Sequence, residues 1–277
     1  MKKYSSNDLW IRIVLFFAIC VILIFSFQVF IIPIVRTLFN NGNEFPFTLE
    51  LNIVRAMNGI VGVGLVYIFL MFDRRKLNVV GFEWNSKWAK EWILISIPIA
   101  FIGLVPTVIV EVLFDIVIFE ELLDIIGIFI TLLVTIFAIG LGEEILFRGY
   151  IQTMLETKYS FRFSALVSAF LFGLLHFWLA ATTGNVYHMI AILFSALVIG
   201  LTFSYCYKVT QNNLILPVAI HGFWDFFLFI FQADFRYESW LQVIIEIFAS
   251  IIGATIIFLL VYLYVEKRLS SVSNATN

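Results

Sequence analysis

Glu143, Glu144 and Arg148 interrupt one apolar run, and His176 and the pair His221 and Asp225 interrupt two later ones. Ionisable side chains at membrane depth are costly, so their presence there points to function. Carboxylates and imidazoles exchange protons with water, and a carboxylate beside an imidazole can activate water for hydrolysis with no Ser or Cys nucleophile. Glu144 and Arg148 share a helix face, as do His221 and Asp225, whereas Glu143 points about 100° away from Glu144. The expected arrangement has Arg148 neutralising and positioning Glu144 near the membrane interface while Glu143 faces a cavity. One turn of a later helix then presents His221 and Asp225 to a single substrate carbonyl.

The elements that carry these groups follow from composition. Of the 277 residues, 62% are hydrophobic and 13% charged, and the mean hydropathy is +1.03, a balance that excludes a soluble domain. About 20 apolar residues span the hydrocarbon core as a helix. Such stretches lie near 9–35, 49–72, 91–119, 122–147, 163–183, 186–207, 213–232 and 240–265. The expected fold is therefore an all-α polytopic membrane protein with about eight transmembrane helices. The continuously apolar segments lack the alternation of membrane strands. Three regions are expected: N-terminal transmembrane helices over 1–119, a helical core over 120–235, and a last helix with a short polar tail over 236–277. The first apolar stretch is too long for a cleaved signal peptide. Cys20 and Cys206 fall within spans and read as small buried side chains.

Lys and Arg collect in alternate joints: Lys2, Lys3 and Arg12; Arg74, Arg75, Lys76, Lys87 and Lys90; Arg148, Lys158 and Arg162; Lys208; Lys267 and Arg268. The other joints hold only Arg36 and Arg236, and Arg55 stands alone near the start of the second helix. Basic residues stay in the cytoplasm, so both termini are expected there. His176 then lies roughly 20 Å, and His221 roughly 12 Å, into their helices from that side. Tilt, and a fourth helix running on towards Lys158, would bring them level with Glu143 in a cavity open to the cytoplasm. Trp84, Trp88 and Trp92 beside Lys87 and Lys90 form an expected interfacial anchor. Glu111, Asp115, Glu120, Glu121 and Asp124 are expected to mark the opposite interface, and the 32 Phe residues to face mostly lipid. Gly140, Gly142 and Gly149 would permit close helix approach or a break.

The sequences Glu143-Glu144-Ile-Leu-Phe-Arg148, Phe172-Gly-Leu-Leu-His176 and His221-Gly-Phe-Trp-Asp225 resemble the EExxxR, FxxxH and HxxxN or HxxxD motifs of the CAAX-protease and bacteriocin-processing (CPBP, Abi) intramembrane proteases. This family includes the eukaryotic prenyl-protein endoprotease. The resemblance covers roughly residues 120–235 and implies a glutamic peptidase. In it Glu143 is general base on a water molecule with His176 assisting, and His221 with Asp225 stabilises the oxyanion. Glu144, Arg148 and Phe172 are supporting residues. Asp225 stands where the well-studied branch has Asn, and an ionised carboxylate would repel an oxyanion. It is then either protonated or accepts a hydrogen bond from His221, fixing the tautomer.

The expected activity is endopeptidase cleavage of a small membrane-associated peptide or protein precursor, in a multi-pass plasma-membrane protein attacked from the cytoplasm, with no cofactor and no nucleic-acid partner. Prenylated tails, pheromone precursors and bacteriocin leaders are the substrates that the resemblance offers. Three alternatives stand beside it. Glu143, Glu144, His176 and His221 could hold zinc, since two His and a carboxylate suffice. A non-catalytic scaffold or bacteriocin-immunity protein could keep the same fold. Glu144 with Arg148, and His176, could be structural interhelical contacts, the reading favoured for His188 outside any motif. The chain has no HExxH, GxSG, GxGD or phosphate-binding glycine loop, and no internal repeat of the kind transporters show.

Overall fold

One continuous helix, α4, runs from Ile125 to Glu156 through the centre of the computed structural model. It carries both neighbouring glutamates and extends past Arg148, as expected. The structure describes residues 5–39, 47–82, 86–119, 122–230 and 233–275. Lys2, Lys3, Trp84, Glu120 and Glu121 lie outside them, as do the side chains of Arg36, Lys87, Trp88, Lys267 and Arg268. The other helices are α1 (Ser6–Phe39), α2 (Phe47–Phe72), α3 (Ser86–Leu113), α5 (Phe161–Ala180), α6 (Val186–Val209), α7 (Ile215–Phe229) and α8 (Trp240–Ala275). Seven of the eight are long and apolar enough to cross a membrane. Their outward faces expose large apolar side chains such as Ile11, Leu94, Phe137 and Phe248, a surface suited to lipid and not to water.

The exception is α7, which carries His221. Its 15 residues span about 22 Å, short of the roughly 30 Å hydrocarbon core. Residues Ile215 to Trp224 are all buried, because α3 and α4 flank this helix. Burial inside the bundle removes the need for it to match the bilayer.

Close helix approach sets the position of α4. A Cβ on Gly142 would lie 2.6 Å from Gly59 Cα of α2, and one on Gly140 2.6 Å from the Val218 carbonyl of α7. The small residues let backbone meet backbone on both sides, and α4 does not break there. It instead widens into π-helical stretches at Thr135–Gly140 and Ile145–Gln152, on either side of the α-helical turn Leu141–Glu144. Such insertions re-aim side chains and recur at functional sites. One apolar core joins α1, α2 and α4 through Phe16, Leu65, Phe147 and Tyr150. Another joins α3, α7 and α8 through Leu104, Ile220, Trp224 and Ile257.

One expectation needs correction. The third span ends at Leu113, not 119: Asp115 takes a left-handed backbone (φ 56°), and Val117–Phe119 pairs antiparallel with Ala233–Phe235, Ile118 opposite Asp234. Strands of three residues are too short to show periodicity in a sequence. Glu111, in the last turn of α3, is buried and faces Glu246 of α8, where Glu246 accepts hydrogen bonds from Ser195 (3.0 Å) and Ser250 (3.2 Å). Asp124 has a local task as the N-cap of α4, accepting from the Gly127 amide at 2.6 Å.

Candidate active site

The four-residue turn Leu141–Glu144 presents its two carboxylates in different directions, as 3.6 residues per turn requires. Glu144 points inward and is wholly buried. Its Oε1 accepts from Arg148 Nη1 at 2.7 Å and from His221 Nδ1 at 3.0 Å. The Arg148 guanidinium, also wholly buried, donates through Nη2 to the Gly200 carbonyl of α6 at 2.7 Å and stacks against the rings of Phe172 and Phe203. The expected Glu144–Arg148 pair therefore forms, and it is wholly enclosed by the bundle. Full burial is tolerated because each charge meets its opposite together with further polar or aromatic partners.

Glu143 turns the other way and keeps a fifth of its side chain accessible. Its Oε2 has no hydrogen-bond partner and lies 3.8 Å from Nε2 of His176 and 3.8 Å from Nε2 of His221. Both distances exceed a hydrogen bond. His176, on α5, directs Nδ1 to the Phe172 carbonyl one turn earlier at 2.9 Å, so Nδ1 carries a proton and Nε2 faces Glu143. Phe172 itself packs at 4.4 Å from the His176 ring and 5.9 Å from the His221 ring. It thus packs on both imidazoles and on Arg148.

His221 is held on three sides: Glu144 at Nδ1, the stacked Phe203 ring at 4.8 Å, and Phe172 edge-on. An ionised carboxylate only accepts, so Nδ1 is the protonated nitrogen. Asp225 Oδ2 stands 3.8 Å from Nε2, too far for a hydrogen bond. The expected tautomer-fixing contact is therefore made by Glu144, not Asp225. All the expected site residues come together around Glu143, while His188 lies elsewhere, stacked on Tyr237. Among the described residues no group of three His, Cys, Asp or Glu side chains is placed to hold a metal ion; the contacts run from Arg148 to Glu144 to His221, then to Glu143 and Asp225, with His176 on the far side of Glu143.

With this geometry in view, residues 125–227 match the family model described as type II CAAX prenyl endopeptidase Rce1-like. Over this core the chain is similar to Rce1-like CAAX peptidases. The match begins at the first residue of α4 and ends within α7, so it takes in the helices that carry all three motifs and leaves out α1 to α3 and α8. The comparison with curated proteins returns no match.

The Rce1-like core also contains parts that sequence reasoning missed. Phe203 and the Gly200 carbonyl anchor His221 and Arg148 but read in sequence as ordinary bulk of an apolar helix. The general expectation of lipid-facing Phe fails at Phe16, Phe147, Phe172 and Phe203, which are all buried. Arg55 of α2, outside the matched segment, stacks on the Phe229 ring at 3.5 Å and lies within electrostatic reach of Asp225. His221, Asp225 and Phe229 are one turn apart on α7, so Arg55 ends the same stripe. Its solitary position in an apolar span was the available signal.

Proposed function

We propose that this protein is an intramembrane endopeptidase in which Glu143 activates water to hydrolyse a peptide bond of a small membrane-associated precursor. The observation that carries the reading is the Glu143 oxygen, buried without a hydrogen-bond partner and flanked at 3.8 Å by two imidazole Nε2 atoms. A water molecule there can give its proton to Glu143, with His176 Nε2 accepting its second hydrogen and orienting a lone pair at the scissile carbonyl. After attack the carbon–nitrogen bond breaks and Glu143 returns the proton to the leaving amine. Gaps of this length in an unliganded site close when substrate arrives.

His221 is the proposed oxyanion donor. Because its Nδ1 proton is committed to Glu144, Nε2 donates only from the imidazolium form, for which Glu144 and Asp225 are counter-charges. Arg148 in turn balances Glu144. Asp225 is thereby proposed to act on charge and not by touching the substrate. The excess of Lys and Arg in alternate joints supports a cytoplasmic opening and cytoplasmic termini.

The test is mass spectrometry of small membrane-associated peptides from cells carrying the wild type or Glu143→Ala at matched protein levels. A cleaved species present only with the wild type supports the peptidase and reveals the substrate. No difference, with a cellular phenotype that survives the substitution, overturns it in favour of a scaffold.

A further inference from the structure

Away from Glu143, the joint that follows α2 contains a cavity of about 700 Å³ whose walls include Phe72, Asp73, Arg74, Arg75 and Lys76. Three consecutive cations are thus gathered at the end of a membrane-spanning helix. The one acid among them is already occupied: Asp73 is buried and pairs with Arg12 at 2.6 Å. Arg74, Arg75 and Lys76 form no ion pair among the described residues.

Arg75 is the least satisfied of the three. Its Nη1 reaches only the Met154 thioether of α4 at 3.1 Å, a weak acceptor, and its buried Nε has no partner. Arg74 takes a left-handed backbone, φ 53°, which a side chain other than glycine adopts at a cost. An unpaired donor and a cluster of like charges both call for an anion with several acceptor oxygens. Beside them Phe72 is 72% exposed on the cavity wall, and Leu77 is 52% exposed just beyond it. A free anion would use the cations and leave these apolar surfaces in water. An amphiphile uses both.

We propose that this cavity binds the phosphate of an anionic phospholipid, with Arg74, Arg75 and Lys76 around its oxygens and Phe72 against the glycerol and upper acyl region. The site is independent of the peptidase reading and requires only that α2 crosses a bilayer. It is also coupled to α4. The segment after Lys76 leads to Val80, which is buried against Gly149 of the second π-helical stretch, and the Gly81 carbonyl accepts from the Leu214 amide at 2.9 Å just before α7. A headgroup in the cavity therefore bears on the strut between the helices of Glu143 and His221.

Native mass spectrometry of the delipidated full chain, exposed to equimolar phosphatidylglycerol and phosphatidylcholine, tests this directly. Phosphatidylglycerol is expected to be retained preferentially and to raise the melting temperature, while phosphatidylcholine and inorganic phosphate are not. Arg74→Gln and Lys76→Gln alter exposed side chains, and each is expected to lower the preference about fivefold, the size of one cation near a charged headgroup. Lys158→Gln with Arg162→Gln in the neighbouring joint is expected to leave it unchanged. Equal retention of both lipids by the wild type, a full effect of inorganic phosphate alone, or an equal loss in the Lys158 and Arg162 variant would each overturn the site.

Discussion

Two pairs of glutamates lie within this helical bundle among the described residues, and they are surrounded differently. Glu143 and Glu144 sit among a guanidinium and two imidazoles. Glu111 and Glu246, between α3 and α8, face each other, with the hydroxyls of Ser195 and Ser250 on Glu246. Hydroxyls satisfy a carboxylate oxygen, but only titratable neighbours pass a proton on at neutral pH. A carboxylate within a membrane helix is thus not by itself a sign of catalysis. The partners make the difference, and a second contrast separates Glu143, which is partly accessible and faces two imidazoles, from Glu144, which is wholly buried with its Oε1 held by two donors.

The sharpest way to break the comparison is Glu143→Gln, which is expected to lower peptide cleavage by about 10² to 10⁴ in kcat, the contribution of a general base, with an unchanged melting temperature. A large loss of stability would mean that Glu143 is structural. Glu144→Ala is expected to do the reverse first. Leaving Arg148 buried without its partner costs about 3–5 kcal/mol, read as a collapse of thermal stability in detergent, with activity lost alongside it. Glu246→Ala strands two serine hydroxyls, for which about 1–3 kcal/mol of destabilisation is expected. Its turnover per folded molecule should match the wild type, and a selective loss of kcat would erase the distinction between the two pairs. Asp225→Asn removes one counter-charge near His221 without touching the Glu144 contact. A fall of about tenfold in kcat, equivalent to ~1.4 kcal/mol, is expected, whereas unchanged activity would assign Asp225 a neutral hydrogen-bonding role.

The motif residues were visible in sequence because ionisable groups stand out against apolar helices, and their spacing by four announced which shared a face. That Glu144 and Arg148 pair followed from the same rule. Their complete burial did not, since a helix period says nothing about which neighbour covers that face. The exchange of partners at His221, with Glu144 in the place foreseen for Asp225, turns on the crossing of α4 and α7 at Gly140, a contact between residues far apart in the chain. Phe203 and Arg55 escaped notice as site components for the same reason. The π-helical stretches have no residue signature here, being local adjustments of backbone register to packing.

By itself the sequence determined that this chain lives in a membrane, that it does so as helices, and which side chains are chemically able to move protons. Those are consequences of local composition and of a backbone whose polar groups must be satisfied within each segment in lipid. Only the tertiary structure decided that α7 is an internal helix shorter than the hydrocarbon core, that Glu143 is the carboxylate facing two imidazole Nε2 atoms, and that Glu144 holds His221. Each depends on distances between helices, and those are set by side-chain volumes meeting across interfaces that no stretch of sequence contains alone.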